Sequence, residues 1–296
     1  MSFFTKWFKK GKEEEEAARA DAAGRTTEEQ SDPPRRPLSE SASRDWTRIP
    51  ENRPGTKTFS RHILLRSPEL APSGFAKSLR EREPDVRGGI HEGRVIVHYR
   101  DMTVTAELED APLPNREAEE NGKYNAMWPD AEAAIEGYTA HMRVTAMNVE
   151  DSVEGHKLMT KLIASLLEHM PSALAVYSAP MLVSRAAYIA SADMLAENML
   201  PVNLWVFVGL YGGEGKGSSY THGMQDFGGD ELELLNTQRS AAETFELMFS
   251  VAAYSIERRI RFQGGENIAF KEGEALTLTR SPGVALQGMT MKVEGF

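Results

Sequence analysis

Three titratable side chains stand close together in the C-terminal third of the sequence, namely His222, Glu231 and Glu233. In a β-strand, residues two positions apart project from the same face, so the two carboxylates are expected to point the same way. An imidazole beside carboxylates can bind a cation or exchange a proton with a ligand. One hypothesis is therefore a polar pocket lined by these three residues. The alternative, which the sequence favours, is that Glu231 caps backbone N–H groups, Glu233 lies on a solvated face and His222 has no role.

Other familiar chemistry is not indicated. The sequence has no cysteine, which excludes thiolate metal sites. It also has no Gly-x-Ser-x-Gly motif, the turn that presents the nucleophilic serine in α/β-hydrolases. The glycine-rich stretch 209–217 fails the phosphate-loop pattern, because Leu210 stands where the first glycine is needed and Gly217 where Ser or Thr is needed. We therefore predict no catalytic residue, no metal site and no cofactor. None of the seven histidines has close metal-ligand spacing: His62, His91, His98, His141, His156, His169 and His222.

Charge and composition narrow the class of protein. The 296 residues carry 34 Lys and Arg against 44 Asp and Glu, a net charge of −10, which argues against general binding to nucleic acid. The absence of cysteine favours a reducing compartment, so we expect a cytoplasmic location. No apolar run approaches the roughly 20 residues that a membrane span needs.

The N-terminus differs in composition from the remainder. Residues 1–12 combine aromatic rings with lysines, and the candidate contacts are Phe3, Phe4, Lys6, Trp7, Phe8, Lys9 and Lys10. Such a segment suits a short helix at an anionic membrane surface on the inner face of the membrane, docking into a partner, or packing on its own domain. Residues 13–56 are charged and proline-rich, which predicts a disordered tether.

From residue 57 onward, strand and helix patterns alternate. Strands near 59–65, 94–99, 102–108 and 141–147, with helices after 73 and 130, give the order β-α-β-β-α-β, which is the ferredoxin-like arrangement. A related α-β-β-α-β run follows, then a C-terminal helix and strands. The sequence thus predicts a globular α+β domain over 57–296, with similar halves 57–148 and 149–296 as one option.

The most distinctive local pattern lies between residues 220 and 233. Thr221, Gly223, Phe227 and Gly228, preceded by Trp205, lead into Glu231-Leu-Glu233. This pattern resembles the bacterial DUF4261 family, a domain of unknown function, and we expect the resemblance to cover about residues 57–296. It implies a fold and a lineage, and structural roles for these five residues. It implies no activity.

These observations favour one function class and leave two alternatives. The prediction is a non-catalytic protein-interaction or adaptor module, held by its N-terminus near an unknown protein partner or in weak contact with a membrane surface. A hydrolase-type enzyme that uses histidine and carboxylates is one alternative. The other, suggested by the charge of −10, is an immunity-type inhibitor of a basic toxin.

Overall fold

A computed structural model describes residues 45–213, 216–271 and 274–295. The compact domain begins at Asp45, earlier than the predicted end of the tether at residue 56. His98 Nε2 donates to the Trp46 carbonyl oxygen at 2.8 Å, and the Arg53 N–H donates to Asn148 Oδ1 at 2.7 Å. These contacts fix residues 45–56 on the domain. The predicted aromatic-lysine segment 1–12 and tether residues 13–44 lie outside the described residues.

Seven antiparallel strands form the first sheet, in the order β2-β3-β4-β5-β1-β6-β7. The strands are β1 Lys57–Leu65, β2 Arg87–His91, β3 Arg94–Tyr99, β4 Met102–Glu109, β5 Ala140–Val149, β6 Ala173–Ser178 and β7 Met181–Ser184. Their apolar, β-branched content suits a sheet that is buried on both faces. Along β1, for example, Ile63 and Leu64 point to opposite faces and both are fully buried.

Helices cover both faces of this sheet. They are α1 Phe75–Arg82, α2 Glu117–Gly122, α3 Ala131–Ile135, α4 Ser152–His169 and α5 Arg185–Ala192. The long helix α4 begins where the Asp151 side chain accepts from the backbone N–H of Val153 and Glu154, and it packs against α1 and α5. On the opposite face, Ala118 of α2 and Ile135 of α3 join the core around Leu64.

The α+β class is confirmed, while the strand order differs from the ferredoxin-like one. That arrangement would place β1 between β4 and β5. Here β4 pairs with β5, and β1 lies between β5 and β6. The segment that carries α2 and α3 returns the chain to the edge of β4 that faces away from β3, where β5 then pairs. The order of elements along the sequence does not reveal that β4 pairs with β5. Strands β6 and β7, expected in a second half, extend the first sheet.

The second sheet has six strands in the order β11-β12-β13-β10-β9-β8. They are β8 Phe207–Gly213, β9 Lys216–His222, β10 Leu232–Thr237, β11 Asn267–Lys271, β12 Glu274–Pro282 and β13 Met289–Glu294. Strands β10 and β13 are parallel and the other pairs antiparallel. Helix α6, Ala241–Glu257, packs on β8, β9 and β10. It begins at a complete capping box formed by Ser240 and Glu243.

The two sheets meet where α4 approaches the short 3-10 helix Met224–Phe227. Lys57 Nζ and Ser152 Oγ both donate to the Asp226 carbonyl oxygen. Trp205 Nε1 donates to Thr160 Oγ1 of α4 at 3.0 Å. Polar contacts from both sides therefore join the sheets at this junction. Among the described residues, no helix has the length and apolar character needed to cross a bilayer.

Candidate functional site

Glu231 is buried and holds the start of the 3-10 helix Met224–Phe227. Its carboxylate accepts from Thr221 Oγ1 at 2.8 Å and from the backbone N–H groups of Gly223 at 2.8 Å and Met224 at 3.2 Å. Gly223 has φ +122°, and a Cβ there would lie 2.6 Å from the Trp205 carbonyl oxygen, so only glycine fits this turn. Glu231 thus has the capping role that the sequence offered as the alternative to a pocket.

Glu233 is fully buried, and its expected position on a solvated face was wrong. Its oxygens accept from the backbone N–H of Val284 and Ala285 and from Thr290 Oγ1, and Lys292 Nζ lies 2.9 Å away. Burial acts to raise its pKa, but the Lys292 ammonium and these hydrogen bonds outweigh that effect and hold the pKa at about 2. Glu233 is therefore an ionised anchor for the loop between β12 and β13.

The three candidate pocket residues do not all line one cavity. His222 is exposed and lines a cavity together with Glu231. Glu233 binds the loop at 284–286 and does not line that cavity. Glu231 precedes β10 and Glu233 lies within it, and each carboxylate binds a different loop.

The cavity that His222 borders has a volume of about 200 Å³ and lies at the junction of the two sheets. Strand β1, the β6–β7 turn, the start of β8 and the 3-10 helix Met224–Phe227 supply its walls. The residues that matter for its chemistry are Arg61, Met181, Trp205, Phe207, Gln225 and Asp226. We refer to it as the junction cleft.

Behind the cleft lies a histidine that the sequence analysis did not single out. His156 of α4 is enclosed by aromatic rings, with ring centroids 4.4 Å from Phe59, 4.9 Å from Phe227 and 5.5 Å from Trp205. Burial lowers the pKa of His156 to about 4, despite the hydrogen bond to Asp226. The neutral ring donates from Nε2 to Asp226 Oδ2 at 3.1 Å.

Asp226 is ionised beside this ring. Burial acts to raise the pKa of Asp226, but the His156 hydrogen bond and the charges of Arg61 and Lys57 bring it below the ordinary value. Arg61 Nη2 lies 3.8 Å from Asp226 Oδ2. The sequence signal for this pair was a histidine, His156, on the buried stripe of a helix. Asp226 lies 70 positions further along the chain, and no local pattern links it to His156.

The residues of the predicted family pattern take structural positions around the cleft. Thr221 Oγ1 accepts from the Leu232 N–H at 2.8 Å and donates to Glu231. Phe227 stacks on His156, and Gly228 has φ +80° at the end of the 3-10 helix. Each of them supports the turn that presents Asp226.

Comparison with known families agrees with this pattern. Residues 220–294 match the model of DUF4261, a domain of unknown function. The match contains Thr221, Gly223, Phe227 and Gly228, while Trp205 and residues 57–219 lie outside it. No curated protein and no solved structure matches the chain.

A different surface, outside the DUF4261 segment, exposes two large apolar side chains. Tyr124 and Met127 follow α2 and are 82% and 73% exposed, the two highest values among large hydrophobic side chains of the described residues. We call this pair the apolar tip. Two large apolar side chains close together in sequence and exposed to this degree are available for contact with another molecule.

The backbone beneath the apolar tip is firmly held. Asn125 Oδ1 accepts from the N–H groups of Met127 at 3.1 Å and Trp128 at 3.0 Å. Asn125 Nδ2 donates to the Leu182 carbonyl oxygen of β7 at 2.7 Å. The Trp128 side chain packs against the core around Leu64. The tip therefore stands on an ordered platform.

The segment around the apolar tip, residues 109–136, is strongly acidic. Residues 109–136 contain eight Asp and Glu and two Lys and Arg, a net charge of −6 out of the −10 of the whole chain. Both basic side chains already face acids of the same segment, since Lys123 Nζ lies 2.8 Å from Glu120 and Arg116 Nε 3.6 Å from Glu119. The acids that are exposed around the tip include Asp110, Glu117, Glu120, Asp130, Glu132 and Glu136.

Proposed function

We propose that this protein is a protein-interaction module whose contact surface is the apolar tip with its acidic surroundings. The observation that carries the proposal is the exposure of Tyr124 and Met127 on a loop that Asn125 and Trp128 hold in place. Aromatic and methionine side chains are enriched in the buried centres of protein interfaces. The expected partner presents an apolar pocket with a basic rim.

Rigidity of the platform supports this function. Binding costs free energy when a loop must be ordered, and a loop that is already held avoids most of that cost. The hydrogen bonds of Asn125 fix the backbone on both sides of Met127. Tyr124 adds contact area with few rotatable bonds. The tip can therefore contribute affinity without a folding step on binding.

The acidic surroundings select the partner. A segment with net charge −6 attracts basic surfaces and repels acidic ones, including nucleic acid. Most of these charges are exposed, so they act chiefly on the rate of encounter and on specificity. An inhibitor of a basic toxin, the immunity-type alternative, would use this same surface.

The hydrolase alternative draws less support from the geometry. The carboxylate oxygens of Glu231 and Glu233 accept hydrogen bonds from backbone N–H groups, and Glu233 is also paired with Lys292. His156 is neutral but is enclosed by rings. These three side chains therefore have structural contacts that leave little room for a reacting substrate.

The test compares two double variants of the full chain. Tyr124→Ser with Met127→Ser removes the apolar tip, and Leu70→Ser with Val284→Ser is the matched control, because those side chains are 60% and 66% exposed elsewhere. Proteins captured from lysate are quantified for wild type and both variants. The partner is then purified, and its affinity is measured by calorimetry at low and high salt.

We expect one partner that the control variant retains and the tip variant loses, with affinity reduced about tenfold or more. Affinity should also fall as salt screens the charged rim. Equal loss in both double variants, or a partner whose binding ignores Tyr124 and Met127, would contradict the proposal.

A further inference from the structure

The junction cleft contains a buried cation with spare hydrogen-bond donors. The Arg61 side chain is only 11% exposed, and its guanidinium carries five N–H donors. Nη1 donates a hydrogen bond to the Ser60 carbonyl oxygen at 2.9 Å, and Nη2 lies 3.8 Å from Asp226. The second distance is longer than a hydrogen bond. Tyr188 also interacts electrostatically with this guanidinium. Arg61 lines the cleft, so its unpaired N–H groups can reach a ligand there, and a ligand acceptor would offset part of the cost of burying the charge.

Beside this cation lies the carboxylate of Asp226, which also borders the cleft. Asp226 Oδ2 accepts from His156 Nε2, while Oδ1 has no hydrogen-bond partner among the contacts of the described residues. Neutral His156 adds no charge there, while the Lys57 ammonium, bound to the Asp226 carbonyl oxygen, offsets part of the carboxylate's negative charge. The cleft therefore offers donors for a carboxylate and an acceptor for an ammonium group, side by side.

Apolar side chains form part of the remaining walls, beside the polar Ser178, His222, Gln225 and Glu231, and the space is small. Met181, Trp205 and Phe207 line the cleft beside the charged pair. Its volume is about 200 Å³, and an engineered cavity of about 150 Å³ holds benzene, with its six ring carbons. A molecule of the size of valine or leucine fits this comparison.

We infer that the junction cleft binds a small aliphatic α-amino acid as its zwitterion. The carboxylate meets the Arg61 guanidinium, the ammonium group meets Asp226 Oδ1, and the aliphatic side chain lies against Trp205, Phe207 and Met181. This site is separate from the apolar tip and does not rest on the proposed partner.

Charge balance favours a zwitterion over a simple anion or cation. A lone carboxylate would gain Arg61 but would face the negative charges of Asp226 and Glu231, which both border the cleft. A lone amine would leave the guanidinium without an acceptor. Only a ligand with both charges satisfies both groups at once.

The experiment measures binding to the full chain by calorimetry. The ligands are L-alanine, L-valine and L-leucine, with isovalerate as valine lacking its amino group and isobutylamine as valine lacking its carboxylate. We expect at least one of the amino acids to bind, and each of the two truncated ligands to bind about tenfold or more weakly. No binding by any of the three amino acids at millimolar concentration would overturn the inference, as would isovalerate binding as tightly as valine.

Two variants locate the binding. Asp226→Asn preserves an acceptor for His156 Nε2 but replaces the free oxygen by an amide, and Arg61→Gln removes the guanidinium. Asp101→Asn and Arg94→Gln, at exposed positions of the first sheet, are the matched controls. We expect amino-acid affinity to fall about tenfold or more in the first pair only. Unchanged amino-acid affinity in a folded Asp226→Asn protein overturns the inference. If a variant does not fold, the comparison of amino acids with isovalerate and isobutylamine on the wild-type chain tests the inference alone.

Discussion

At the scale of single residues, the buried pair Glu233 and Lys292 is the contact whose loss should cost most. Glu233→Gln keeps the shape but leaves the Lys292 ammonium without its charge partner. Breaking a buried pair from one side typically costs about 3–5 kcal/mol. We expect a loss of that order in the free energy of unfolding, measured by urea denaturation.

Removing both charges provides the control. Glu233→Gln combined with Lys292→Met leaves no unpaired buried charge, so part of the stability should return. If the free energy of unfolding of Glu233→Gln lies within about 1 kcal/mol of the wild-type value, this pair is not a significant stabilising contact.

Buried histidines make stability depend on pH. The pKa of His156 is about 4 in the folded chain, chiefly through burial, against an ordinary value of 6.5. The unfolded chain therefore takes up a proton between these values while the folded chain does not, so stability is full above pH 6.5 and falls as pH drops toward 4. His62, whose pKa burial and the charge of His141 lower to about 4, acts in the same direction.

The shift of His156 alone corresponds to a loss on the order of 3 kcal/mol across that window. Urea midpoints measured from pH 7.5 down to pH 4.5 test it. His156→Gln should reduce the slope of the profile and leave the part due to His62, and His222→Gln at an exposed site is the control. A wild-type midpoint that is constant between pH 6.5 and 4.5 would contradict the folded-state environment described for both buried rings.

The two glutamates also show what sequence can tell about residues. The capping role of Glu231 was within reach of local reasoning because its partners lie six to ten residues away. The burial of Glu233 was not, because Lys292 and the loop at 284–286 lie more than 50 positions further on. No local pattern indicates such a partner.

At the scale of elements, helix α6 depends on its N-terminal cap. Ser240 and Glu243 exchange hydrogen bonds with each other's backbone N–H groups, and loss of a serine cap typically costs about 1 kcal/mol. Ser240→Ala should lower the free energy of unfolding by about that amount. Ser250→Ala, in the middle of the same helix, where the hydroxyl only bonds the Glu246 carbonyl oxygen, should change it little. Equal effects of the two substitutions would argue against the cap.

Elements with a strong period were predictable, and those without one were not. Both α4 and α6 have an apolar stripe behind a capping residue, and a helix was predicted at the place of each. Strand β2 was missed because Gly88 and Gly89 indicate a turn. Gly88 has φ +140°, and a Cβ there would lie 2.0 Å from the Ile96 carbonyl oxygen of β3. The glycine is required by close approach within a sheet, a constraint that composition does not show.

At the scale of the whole molecule, the DUF4261 segment is not a complete folding unit. Residues 220–294 begin inside β9 and exclude β8, so the sheet would lose one strand and part of another. They also leave Phe227 without His156 and Trp205. We expect this segment alone to show no cooperative thermal unfolding by circular dichroism, whereas residues 45–296 should show it. A sharp transition for 220–294 alone would contradict this dependence.

Strand order in the second sheet also affects how the protein is made. The central strand β13 joins β12 on one side and β10 on the other, and it is the last of the six to leave the ribosome. Until then the sheet exists as two separate pieces, one with β8, β9 and β10 and one with β11 and β12. Pairing between strands that are distant in sequence is slow, and unpaired edges invite aggregation. During synthesis, the edge of β10 therefore stays unpaired until β13 has been made. A chaperone that covers this edge would protect the chain from aggregation at that stage.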